Sequence, residues 1–443
     1  TRATPKLKQA YRRSLFLRLP VHHSLVRPFQ NHFKTGLKAK TMNRIYAAIS
    51  MTLLLLPKVA LAQEAAQIQE PAQTTNTPLT NTATPSITNT AELGERLFFD
   101  PNLSLNRTQS CATCHSPSQG FSDPRDNGVN GAASLGDDGK SIGDRNTPAL
   151  GYGHLTPDFK LAKDGLYRGG QFWDGRANDF KAQAGGPVLN GVEMAMPDKT
   201  AVLERLKENP NYVEAFKMLF DEQILDNADQ AFDALTSAIE HFEKPDTFSS
   251  FDSKYDRYLA GTYTLTQEED LGRTLFFSKQ FTNCNLCHQL SSNPMSTRET
   301  FSNYQYHNIG VPVNKALRIS NKLGQDYQDM GLLHNPKIAD ELHAGKFKTP
   351  SLRNVAVTGP YMHNGVFKDL KTVVMFYNKY NSKSAKRQIN PETDLPWQAP
   401  EVAQNIAHEE LTTGPALDDR RVRALVAFLK LLTDERYEAL LQD

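Results

Sequence analysis

The sequence predicts an all-α protein made of two related helical domains. Three observations carry that reading. Apolar residues recur at three-and-four spacing in "TAVLERLKENPNYVEAFKMLF", "ADQAFDALTSAIEHFEK" and the closing "DDRRVRALVAFLKLLTDERYEALL", which is the period of one helix face. The block Leu-Gly-x-x-Leu-Phe-Phe occurs at Leu93 and again at Leu271, each time followed after a short loop by the same cysteine motif. Such a repeat marks an internal duplication. No run alternates apolar and polar residues as a half-buried strand would.

At 443 residues the chain has length for two ordinary domains with their own cores. Residues 1–41 carry ten Lys/Arg and no acid, and read as upstream sequence ahead of a misplaced start, with a basic organelle leader as the alternative. From Met42, "MNRIYAAISMTLLLLPKVALAQE" has a positive start, an apolar run too short for an ordinary membrane span, and a small-residue cleavage site at Ala60-Leu61-Ala62. Residues 42–62 are therefore a secretory signal, which points to the periplasm; an uncleaved anchor is the alternative. Twelve Lys/Arg and no Asp/Glu fall within 1–62, so the remainder has 38 basic against 49 acidic residues, a formal charge of −11. An exported acidic protein is a poor nucleic-acid binder, so no nucleic-acid partner is expected. Residues 63–90, rich in Thr, Asn, Gln and Pro, read as a flexible linker. The two domains then run over 91–258 and 259–443.

All four cysteines fall in two C-x-x-C-H motifs, "CATCH" (Cys111, Cys114, His115) and "CNLCH" (Cys284, Cys287, His288). Four cysteines in an exported chain would otherwise suggest two disulfides. A redox dithiol or a zinc knuckle does not require the histidine that follows. The motif attaches c-type haem: two thiols add to the vinyl groups and the adjacent histidine supplies the proximal nitrogen to iron. The expectation is two covalently bound haem c groups, one in each of two cytochrome c-like domains. The Gly- and Asp-rich stretch 123–146 reads as a long loop above the first haem.

Together with these motifs, "GGQFWDGRANDFKAQAGGPVLNGVEMAMP" (169–197) and "FKTPSLRNVAVTGPYMHNGVF" (347–367) resemble the bacterial di-haem cytochrome c peroxidases and the related MauG-type enzymes. The resemblance covers 91–443. It implies that the haem on His115 is the site of hydrogen peroxide chemistry and that the haem on His288 takes up electrons or shares oxidising equivalents. It assigns Trp173 as the relay between them, Glu193 as the distal acid–base, and Gln183 and Pro187 as its neighbours. It also implies a calcium ion held by Asn146, Thr358 and Pro360, oxygen ligands that suit a hard cation. The implied partners are hydrogen peroxide and either a small redox protein (a cytochrome c or a cupredoxin) or a protein substrate, and a homodimer is allowed.

The sequence departs from the peroxidases at two points. No histidine lies between His115 and Gly153, where peroxidases carry one that caps the first iron, and His154 is the nearest substitute. The first haem is therefore expected to be open at rest. In "LKTVVMFYNKY" (370–380), residues two apart on a helix point about 200° apart, so Met375 and Tyr377 cannot both face one haem. Leu370, Val373, Val374 and Tyr377 form the apolar stripe, whereas Met375 is flanked by Lys371, Asn378 and Lys379. Ungapped register with the family also puts Tyr377 at the axial position, where peroxidases have Met and MauG has Tyr. Met375 is expected to point outward. Met362 and His363 are further candidates in a loop. The expected function is a periplasmic di-haem peroxidase or oxidase, with a MauG-like oxidase of Trp or Tyr on a partner protein as the alternative. A non-catalytic electron-transfer cytochrome is the second alternative.

Overall fold

The computed structural model describes residues 86–324 and 326–441. The upstream segment 1–41, the signal 42–62 and most of the linker lie outside the described residues. Within 86–90, Ile87 is buried, and the Asn89 side chain accepts the Glu92 N–H at 3.0 Å to cap the first helix.

The helices in chain order are α1 (Thr90–Phe98), α2 (Cys111–Cys114), α3 (Phe180–Leu189), α4 (Lys199–Lys207), α5 (Pro210–Leu219) and α6 (Ala228–Glu243). They continue as α7 (Lys254–Leu259), α8 (Gln267–Phe276), α9 (Lys315–Ser320), α10 (Leu370–Asn381), α11 (His408–Leu411) and α12 (Asp419–Lys430). The long ones start where the sequence places a short polar side chain. Asp179, Asp198, Asn227, Thr266, Asp369 and Asp418 each accept a first-turn N–H. The only strands among the described residues are three two-residue antiparallel pairs, of which Tyr306–His307 with Phe347–Lys348 matters for the site.

The duplicated block explains the packing. Leu97 and Phe98 of α1 and Leu235, Ala238 and Ile239 of α6 are buried in one core. Leu275 and Phe276 of α8 and Val422, Leu425 and Phe428 of α12 are buried in another. At the crossing points Gly94 meets the backbone of Ala238, and Gly272 meets that of Ala424 in the same way. The glycine in each block lets two helix backbones approach more closely than any side chain would permit. In the closing amphipathic segment, Val422, Leu425 and Leu429 of α12 and Leu432 just past its end are buried, and Val426 packs against the same core.

The first core draws on residues 87–248 and the second on 255–432. Tyr255 of α7 is fully buried in the second. The two halves are stitched together by the stretch around Trp173. Gly169 N–H donates to the Tyr304 carbonyl at 3.0 Å, and Tyr306 Oη–H donates to the Gly169 carbonyl at 2.6 Å.

Candidate functional site

The two haem motifs repeat in geometry as well as in letters. His115 Nδ1 lies 3.2 Å from the Phe121 carbonyl, and His288 Nδ1 lies 3.2 Å from the Phe301 carbonyl. Both phenylalanines have positive φ, 57° and 56°. A proton on Nδ1 held by a carbonyl leaves Nε2 with its lone pair, the form that binds a metal. Burial pushes both imidazoles down to about 4, so they are neutral at physiological pH. No pair among the four cysteines is disulfide-bonded. Burial raises all four thiols, Cys114 to about 11 and Cys287 to about 12. Paired free thiols beside a neutral histidine are the donor set a covalent haem requires.

The second site is an apolar cavity of about 240 Å³ whose wall includes Cys284, Cys287 and His288. From α10, Leu370, Val373, Val374 and Tyr377 line it, which is the stripe read from the sequence. Burial, with Cys287 and Cys284 close by, raises the Tyr377 phenol well above its ordinary value. It stays neutral unless a Lewis acid faces it. Met375 is absent from this wall, but it does not point to solvent as expected. It is only 7% exposed and packs in the second core, because α10 is covered on more than one side. The lining of the cavity suits a haem: two thiols, Cys284 and Cys287, a histidine, His288, and a phenol, Tyr377, in an otherwise apolar wall. His363 and Met362 also line it. The His363 ring stacks on Phe347 at 3.6 Å.

Around the first site the structure brings together the three residues expected on the distal side. Gln183 and Pro187 lie one turn apart on α3, and Pro187 has no N–H to offer the Gln183 carbonyl. The chain then folds back. The Pro187 carbonyl accepts the Met194 N–H at 3.1 Å, and the Val188 carbonyl accepts the Met196 N–H at 2.9 Å, which returns Glu193 to the end of α3. Burial raises the Glu193 carboxyl, Arg176 opposes that shift, and the Asp144 charge reinforces it. The Glu193 carboxylate also bears on the Cys114 thiol, which ties it to the haem motif.

Loop 123–146 has no helix or paired strand beyond one isolated bridge, and it is fixed over this site. Asp137 N–H donates to the Glu193 carbonyl at 2.8 Å, while the Asp137 side chain accepts from Asn106 N–H at 2.6 Å and Thr108 Oγ1–H at 2.6 Å. Arg125 reaches Cys114 Sγ at 3.3 Å. His154 sits beside Ser249 and Phe180.

Trp173 lies in the wall of the second cavity. Its Nε1–H donates to the Asn146 carbonyl at 2.8 Å, and its own carbonyl accepts the Lys348 N–H at 2.9 Å. The flanking residues clamp the same junction: Arg145 donates to Asp174 at 2.6 Å and to Asp329 at 2.6 Å. Sequence reasoning missed this buried ion cluster, together with Arg318 and Glu401 at 3.3 Å. The only available signal was that Arg145 and Asp174 adjoin residues already singled out. Of the residues expected to hold calcium, Asn146 Nδ2 reaches the Ala132 carbonyl at 3.4 Å, Pro360 packs on Gly131, and Thr358 Oγ1–H donates to the Asn354 carbonyl at 3.2 Å. Among the described residues no group of three or more His, Cys, Asp or Glu is placed to hold a metal ion.

Residues 88–264 match the family described as di-haem cytochrome c peroxidase. The chain is 54% identical over 353 residues to the methylamine utilization protein MauG of Paracoccus denitrificans, covering 80% of this chain and 90% of that one. It is 31% identical over 299 residues to the cytochrome c551 peroxidase of Pseudomonas aeruginosa, covering 64% and 70%. Among solved structures, the diheme peroxidase BthA of Burkholderia thailandensis superposes with a TM-score of 0.70 at 30% identity, covering 80% of this chain and 88% of the other. The chain thus belongs to the family of di-haem cytochrome c peroxidases and MauG, oxidoreductases that carry two c-type haems.

Proposed function

We propose that this enzyme reacts with hydrogen peroxide at the first site without prior reduction and uses the oxidising equivalents on a partner protein, in the manner of a MauG-type oxidase. The observation that carries the reading is Tyr377, whose phenol lines the His288 cavity while Met375 packs elsewhere. A phenolate oxygen favours ferric and higher states of iron, whereas a thioether favours the reduced state needed for a simple relay.

A haem at each motif supplies the redox chemistry; the chain supplies binding, orientation and proton handling. Cys111, Cys114 and His115 would hold the first haem, and Cys284, Cys287, His288 and Tyr377 the second. Glu193, raised by burial, is suited to take a proton from one peroxide oxygen and return it to the other. Gln183 and Pro187, one turn apart on α3, would flank Glu193, and Trp173, held by Asn146, would carry electrons between the sites.

The two cores support a division into two haem domains. Tyr255 packs in the second core, at the end of the stretch assigned to the first domain. Periplasmic location, a bound calcium ion at Asn146, Thr358 and Pro360, and a specific redox or protein partner belong to the same proposal. No helix among the described residues is long and apolar enough to cross a membrane.

The test is to mix the fully oxidised protein with equimolar hydrogen peroxide and follow the haem spectrum by stopped flow. Rapid conversion of both haem signals supports the proposal. An inert oxidised protein that responds only after reduction would return the chain to the reductively activated peroxidases, using a small cytochrome or cupredoxin as donor.

A further inference from the structure

Lys348 is the only lysine or arginine among the described residues that line the His288 cavity, and Glu410 is the only acid. The two occupy different parts of the wall. Glu410 bears on the Cys287 thiol, so it belongs to the side where the macrocycle is tethered. The Lys348 N–H donates to the Trp173 carbonyl at 2.9 Å, so Lys348 belongs to the Trp173 side.

The Lys348 ammonium lacks a dedicated counter-charge. Burial pushes it down to about 7, and nearby Asp174 offsets this only in part. Asp174 is engaged by Arg145 at 2.6 Å and Arg176 at 3.1 Å. The Gly170 carbonyl accepts one Lys348 N–H, and an ammonium has three to give. A haem is an apolar ring with carboxylate-bearing propionate arms, and a carboxylate buried in an apolar cavity is costly unless a cation meets it.

On the reading that His288 carries the second haem, we propose that Lys348 pairs with a propionate of that haem and so turns its propionate edge towards Trp173. The thioether edge is fixed by Cys284 and Cys287, and Glu410 would repel a carboxylate placed there. Lys348 is thus a positioning residue for electron exchange: one residue holds the haem edge through its side chain and the relay tryptophan through its backbone. Ion pairing also keeps the propionate ionised and its charge neutralised beside the iron.

The test is spectroelectrochemistry of holoenzyme K348M and K348R with both haems attached. Loss of the cation leaves an uncompensated carboxylate that stabilises oxidised iron, so K348M lowers the second haem's midpoint potential and makes it pH-dependent through neutrality; K348R stays close to wild type. A K348M protein with unchanged potential and unchanged pH profile overturns the proposal. Where K348M fails to assemble, infrared difference spectra of the wild-type protein decide. An ionised propionate band that shifts on reduction supports the pair, and a protonated carboxylic acid band contradicts it. Haem counting by pyridine haemochrome and the low-spin signature of the second haem report separately on whether His288 and Tyr377 hold a haem at all.

Discussion

Gly272 lies so close to Ala424 that a Cβ built on it would stand 1.9 Å from the Ala424 carbonyl oxygen, and Gly94 stands in the same relation to Ala238. These contacts set the helix crossing in each half and therefore the frame on which each haem motif hangs.

Gly272→Ala is predicted to destabilise the protein by about 3 kcal/mol or more, because the obstacle is backbone that cannot rotate aside. Gly191→Ala, where a Cβ meets nothing within 4 Å, should change stability by less than about 0.5 kcal/mol. Thermal unfolding of the two holoproteins decides. Equal losses would mean that close helix approach is not what the repeated glycine provides.

Glu193→Gln should slow the reaction with hydrogen peroxide by roughly 10²–10⁴-fold while leaving both haems attached. Since burial raises the carboxyl, the form able to accept a proton is lost as pH falls, and it is lost above the pH at which an ordinary glutamate titrates. The wild-type peroxide rate should therefore decline on the acid side, and Glu193→Gln should lack that limb. A pH profile shared by both proteins would assign the proton transfer elsewhere.

Trp173→Phe preserves an aromatic in the cavity wall but removes the bond to Asn146. Exchange between the haems should slow by roughly tenfold or more, equivalent to about 1.4 kcal/mol of barrier. The initial peroxide reaction should be unaffected. Slowing of both steps together would point to general disruption instead of a relay.

Glu243 is 2% exposed, its Oε2 has no hydrogen-bond partner, and burial pushes its carboxyl up to about 8. The folded state keeps the proton while the unfolded state loses it in the ordinary glutamate range. The penalty is absent at acid pH and grows as pH rises towards about 8. Glu243→Gln should thus raise the melting temperature at pH 8 through a gain on the order of a few kcal/mol, with little effect at low pH. A pH-independent gain would show that the carboxyl is not the source.

Much of this was legible in the sequence because it rests on local spacing. The two C-x-x-C-H motifs, the repeated Leu-Gly-x-x-Leu-Phe-Phe block and the Leu370–Tyr377 stripe each need only one helix or turn to be understood. Met375 departs from this because Asn378 beside it looks in sequence like part of a solvent face. Asn378 is buried, and its amide donates to the Leu417 carbonyl at 3.0 Å while accepting the Leu417 N–H at 2.8 Å. A polar residue satisfied by distant backbone looks in sequence like a surface residue. The ion cluster around Trp173 was hidden for a related reason: Arg145 and Asp329 stand 184 positions apart, and only the folded chain pairs them.

On the proposed function, Tyr377 rather than a methionine faces the second iron. The midpoint potential of the second haem in Tyr377→Met, measured beside wild type, tests it most directly. Replacing a phenolate oxygen by a thioether should raise that potential and change the ferric spectrum of the second haem alone. An unchanged potential and spectrum would contradict the assignment and leave another group of the cavity wall as the axial ligand.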